Sequence, residues 1–150
     1  MESRPKDFAI QYDWCAGSMP PPHHYEYTIR IGPGLQGEIV FYPDYPGLGT
    51  PEWTEPFGVG EESLDALYVL VEEQVLGREW VKIEDGTVGG SLEWMSGTVD
   101  AQRFRVPSRV EEDEALEPVY AAIKALVPDA IWAKLRAQRE QYERDYREGD

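Results

Sequence analysis

Residues 25–42 read Tyr-Glu-Tyr-Thr-Ile-Arg-Ile-Gly-Pro-Gly-Leu-Gln-Gly-Glu-Ile-Val-Phe-Tyr, and the fold class follows from them. Tyr25, Tyr27, Ile29 and Ile31 alternate with Glu26, Thr28 and Arg30, the two-residue period of a strand with one buried face. Gly32-Pro33-Gly34-Leu35 offers proline and glycine at the two central positions of a type II turn. Gly37–Tyr42 then returns as a second strand.

Upstream, Phe8, Ile10, Tyr12 and Trp14 alternate with Ala9, Gln11 and Asp13, which predicts a first strand over Phe8–Trp14 with an aromatic face. Ala16-Gly17-Ser18-Met19-Pro20-Pro21-Pro22 between them is a stiff connector, because consecutive prolines remove backbone donors. Downstream, Pro43–Pro51 is a Pro- and Gly-rich loop, and Trp53–Phe57 a short strand. Leu64, Leu67, Tyr68, Val71 and Val75 then follow the spacing of one buried helical stripe, which predicts a helix over about 61–76. Trp80–Ile83 is a further apolar stretch, Asp85-Gly86 a hairpin-type turn, and Ser91–Met95 with Arg103–Val106 a second hairpin.

The C-terminal third is helical. Leu116, Val119, Tyr120, Ile123 and Leu126 mark one amphipathic helix, with Pro118 expected within or near its first turn. Pro128 suits the start of the next, whose apolar positions Ile131, Trp132 and Leu135 give way to a polar run from Gln138, so residues 142–150 are expected to form a solvent-exposed helical tail. At 150 residues the chain supports one domain. The expectation is a single α+β domain: a twisted antiparallel sheet of five to seven strands, packed with one central helix and two C-terminal helices.

Charge narrows the function. Residues 38–127 hold 19 Asp and Glu against six Lys and Arg, so they carry most of the net charge of −15. Such a surface repels nucleic-acid phosphate and anionic lipid, so neither nucleic acid nor membrane is an expected partner. Hydrophobic content of 41%, with five Trp and nine Tyr, is that of a folded protein with an aromatic core. Cys15 is the single cysteine, and the first residues lack the apolar run of a secretory signal; a cytoplasmic location is expected.

Chemical motifs are sparse. Gly58-Val59-Gly60-Glu61-Glu62-Ser63 has the outline of a nucleotide loop, but Glu61 and Glu62 set carboxylates where a pyrophosphate would need bare N–H groups. His23 and His24 are adjacent, so in an extended segment they point to opposite sides and cannot easily share a metal. Gly89-Gly90-Ser91 allows a bulge or, alternatively, a backbone nest for a ligand. Trp53, flanked by Pro51 and Pro56, is expected to be partly exposed and available to a partner. The candidate binding residues are therefore His23, His24, Tyr25, Trp53, Gly89, Gly90 and Ser91, with no catalytic residue, metal ligand or cofactor assigned.

Ala16-Gly17-Ser18 with Pro20–His24, Trp53–Phe57 leading into Leu64–Tyr68, and Val88-Gly89-Gly90-Ser91 resemble segments of small bacterial domains of unknown function. In chain order residues 25–126 are also similar to emfourin-type protein inhibitors of metalloproteases; no inhibitory motif is matched, so the resemblance implies no site residue. The expected function is a non-enzymatic binding protein whose partner is another protein with a basic surface. The alternative is a small enzyme or ligand-binding domain with a site near Pro20–Tyr25.

Overall fold

The computed structural model describes residues 4–47, 49–81, 91–110 and 113–148. Six strands, β1 (Ala9–Cys15), β2 (Glu26–Ile31), β3 (Gln36–Tyr42), β4 (Trp53–Gly58), β5 (Leu92–Val99) and β6 (Gln102–Val106), form one antiparallel sheet in the order β4-β3-β2-β1-β5-β6. Helix α1 (Glu61–Gln74) falls between β4 and β5, while α2 (Asp113–Leu126) and α3 (Asp129–Glu148) follow β6. This is an α+β domain. The turn at Asp85-Gly86, the paired Gly89-Gly90, and Lys82 and Ile83 of the apolar stretch lie outside the described residues.

Register turns the alternation of each strand into three rows across the sheet. The first runs Phe57, Gly37, Ile31, Ile10, Gly97, Phe104; the second Glu55, Ile39, Ile29, Tyr12, Met95, Val106; the third Trp53, Phe41, Tyr27, Trp14, Glu93. All three share one face, since positions two apart along a strand point the same way. The helices lie against it. Tyr68 of α1 meets Phe8 edge to face, Tyr120 of α2 meets Tyr12, and Trp132 of α3 meets Tyr27. The predicted α1 stripe, Leu64, Leu67, Tyr68, Val71 and Val75, is buried in full. On the opposite face Asp13 accepts from Thr28 Oγ1 at 2.6 Å and Gln11 Nε2 at 3.2 Å, while Arg30 reaches Gln11 and Glu38.

Two glycines in the first row are sites of close approach. Gly37 pairs with Phe57 and Gly97 with Phe104, so each outer phenylalanine lies across a neighbour with no side chain. A Cβ on Gly97 would stand 2.5 Å from the Ala9 carbonyl oxygen and 2.5 Å from the Phe104 ring. The second hairpin is longer than the predicted Ser91–Met95 and Arg103–Val106, although Met95 does oppose Val106. Its turn, Asp100-Ala101, has φ of 50° and 66°, and the Asp7 carboxylate accepts both of its N–H groups, at 2.9 and 2.7 Å. That remote carboxylate holds a conformation that non-glycine residues rarely adopt.

Pro118 departs from expectation. Helix α2 already includes Asp113, so the proline sits in the second turn rather than the first, and the Glu114 carbonyl lacks its intrahelical donor. Burial of Leu116, Val119, Tyr120 and Ile123 on the same helix offsets that loss. Pro128 opens α3 as predicted, its carbonyl accepting from Ile131 and Trp132, and the Trp132 indole N–H donates to the Lys124 carbonyl near the end of α2.

Gly97→Ala is expected to destabilise the protein by about 3 kcal/mol, the upper part of the usual range for overpacking, because backbone and an aromatic ring both block the new methyl. Gly58→Ala, which meets open space, should stay within about 0.5 kcal/mol. Urea melts of the two variants check this; equal midpoints would show that the sheet accommodates a Cβ at Gly97.

Candidate functional site

The third row is a stack of aromatic rings on four adjacent strands. Interplanar angles are 7° for Phe41 with Trp53, 7° for Tyr27 with Phe41 and 16° for Trp14 with Tyr27. Tyr25 extends this patch at the sheet's end: its carbonyl accepts from Ala16 N–H, and its ring stacks on Phe41 at 5.7 Å and meets Trp14 at 4.8 Å. Offset aromatic pairs of this kind each add about 0.5–1.5 kcal/mol beyond area burial.

Helix α3 crosses the end of this patch. Arg139 sets its guanidinium 3.9 Å above the centre of the Tyr25 ring, a cation–π contact, while Nη2 reaches Glu143 at 3.0 Å and the His23 carbonyl at 3.5 Å. Two cavities flank it. One of about 570 Å³ is walled by Trp14, Ala16, Met19, His23, Tyr25 and Ser91 from the sheet side and by Arg139, Glu140 and Glu143 from α3. The other, of about 170 Å³, lies among Tyr25, Tyr27, Phe41, Trp132, Leu135, Arg136 and Arg139.

The connector from β1 to β2 is held in place by His24. The imidazole is 2% exposed, stacks on Tyr45 at 3.8 Å and 8°, and joins the Gly17 carbonyl through Nδ1 and the Glu26 carboxylate through Nε2, both at 2.8 Å. Tyr45 in turn donates to the Met19 carbonyl at 2.6 Å, and the buried Asp44 accepts from the Tyr45 N–H and from the Tyr142 hydroxyl. Two Pro- and Gly-rich loops and the far end of α3 thereby lock together. Met19 and His23 are left as the outer wall of the larger cavity.

Of the sequence candidates, the structure brings His23, Tyr25 and Ser91 into one cavity. His24 faces away and is structural. Trp53 is half-buried at the far end of the aromatic row, stacked on Phe41, and Gly89 and Gly90 lie outside the described residues. The sequence reading missed Trp14, Met19, Arg139, Glu140 and Glu143 as site residues. Among the described residues no three His, Cys, Asp or Glu side chains gather as a metal set, and no helix is long and apolar enough to cross a membrane.

Tyr12, Tyr27 and Tyr120 are buried in the neighbouring core. Burial pushes the Tyr12 phenol well above the ordinary tyrosine range, and the Glu93 carboxylate that accepts its hydroxyl pushes it further. Burial and the same carboxylate raise Tyr120; burial, then Tyr25 and Glu93, raise Tyr27. A phenol whose folded pKa lies above its unfolded value favours folding below that unfolded value, about 10, and this contribution disappears as pH rises toward the folded one. Stability should therefore fall above about pH 10. Phenolate absorbance of Tyr12, Tyr27 and Tyr120 should appear only with loss of the folded circular-dichroism signal; smooth titration of all nine tyrosines in the folded state would contradict their burial.

Compared with known proteins, the sequence matches no family model and no curated protein.

Proposed function

We propose that this protein is a non-enzymatic interaction domain that engages another protein with a basic surface, and that the cleft between the first connector and α3 is where it does so. The observation that supports this is the composition of the cleft: an aromatic floor of Trp14 and Tyr25 rimmed by the carboxylates of Glu140 and Glu143. Aromatic rings attract cations through their faces, and carboxylates complete the contact. The net charge of −15 adds a long-range attraction for such a partner and disfavours nucleic acid. The same proposal places the protein in the cytosol, which fits its one free cysteine, Cys15.

A ligand-binding or enzymatic role for the Pro20–Tyr25 region is the second reading. It is favoured by the cavity volume of about 570 Å³, within the span of small-molecule sites.

Affinity capture from native lysate, run in parallel with the full protein and a Glu140→Gln, Glu143→Gln variant, separates the two readings. The expected result is a partner with a basic surface that the variant retains at least about tenfold more weakly, with an association rate that falls about tenfold between 50 and 500 mM salt while dissociation changes less. Equal capture by both proteins and a salt-independent association rate would remove the Glu140 and Glu143 carboxylates from binding.

A further inference from the structure

Resting on the interaction reading above, we propose that the anchor supplied by the partner is an arginine side chain that lies on the Tyr25 ring in the place Arg139 now occupies. Arg139 is then a built-in occupant that the partner displaces.

The contact made by Arg139 shows what the Tyr25 platform accepts. Its guanidinium carbon stands 3.9 Å above the ring centre, within stacking distance, and a carboxylate, Glu143, lies 3.0 Å from Nη2. A planar, delocalised cation can stack and hydrogen-bond at once, which the compact ammonium of lysine cannot do.

The internal occupant is also imperfectly held. Its Nε is buried and has no hydrogen-bond partner, and its reach to the His23 carbonyl is a long 3.5 Å. The pair with Glu143 joins residues four apart on one helix, an arrangement of small net strength. An arginine arriving from outside approaches on its own stem, so it is not bound to strand Nε in the same way.

Position gives displacement a consequence. Tyr25 and Arg139 line both flanking cavities, so their contact is the wall the two share. When Arg139 leaves, the larger cavity beside Trp14 and the smaller one beside Phe41 and Trp132 become one aromatic trough, with Glu143 released to pair with the incoming guanidinium. An extended segment with an apolar residue next to its arginine fits that trough.

The test uses acetyl-Gly-Arg-Gly-amide and its citrulline counterpart, which has the same shape without the charge, titrated into the full chain and into Arg139→Ala while amide and indole resonances are followed by NMR. The expected result is at least tenfold tighter binding of the arginine peptide to Arg139→Ala than to the unmodified protein. Shifts should centre on Trp14 and Tyr25, and the citrulline peptide should bind at least tenfold more weakly. Equal affinity for the two proteins, equal affinity for the two peptides, or shifts scattered over the acidic surface would overturn the proposal. If Arg139→Ala does not fold, Arg139→Gln carries the same test with the stem retained, and failure of both to fold would make Arg139 a structural prop and overturn it as well. A captured partner that needs Glu140 and Glu143 but is indifferent to Arg139→Ala overturns the arginine anchor while leaving the interaction reading in place.

Discussion

The structure depends on the register of β1, which is paired on both sides, with β2 through Ile10↔Ile31, Tyr12↔Ile29 and Trp14↔Tyr27, and with β5 through Ile10↔Gly97 and Tyr12↔Met95. A slip of one residue on either side would turn Ile10, Tyr12 and Trp14 to the face that now carries the Asp13, Thr28, Gln11 and Arg30 hydrogen bonds. It would bury that polar mesh under the helices. Both faces therefore enforce one register, and every row across the sheet inherits it.

The rows differ in how far the helices cover them. In the first, glycine beside each outer phenylalanine lets the ring fold down over the sheet, so the row is thin and closed. In the second, Ile39, Ile29, Tyr12 and Met95 are all fully buried. The third is built of rings that the helices cover only in part: Trp14 and Trp53 remain part-exposed, as does Tyr25 beside the row, while Tyr27 and Phe41 are buried. Aromatic surface at the rim of a core is a surface that a partner can use, since much of its ordering cost has already been met by the fold.

Legibility in the sequence tracked the range of the interactions. The strand pair within 25–42 and the α1 stripe are short-period signals, written in residues two or three to four apart, and both appear as read; the link between the strands is instead closed by the Gly32 N–H on the Gln36 carbonyl. Pro128 likewise marks the start of α3 locally. The turn at Asp100-Ala101 was not legible, because its conformation is held by Asp7, more than ninety residues away. The same holds for the site. Arg139 lies in a stretch whose composition reads as a solvated helix end, and only the crossing of α3 over the sheet brings it to Tyr25, while Tyr142 further along reaches the buried Asp44. For His23 and His24, nothing local showed that Tyr45 would stack on His24 and bury it while His23 lines the cleft.

Charge and shape act at different distances here. The acidic stretch of residues 38–127 sets a field felt over about one Debye length, roughly 10 Å at 0.1 M salt, and such a field raises the rate of encounter with any basic body. It does not choose among them. Within the cleft Arg139 stands beside Glu140 and Glu143, so charge there is partly compensated and selection falls to geometry. Tyr25 offers one face, Glu143 one carboxylate, and Arg139 already competes for both. A cation that merely arrives must contend with an internal rival of equal charge. On the proposed reading, only a side chain that matches the ring, the carboxylate and the apolar trough together displaces it, and the internal arginine would thereby convert a general attraction for basic surfaces into a demand for one shape.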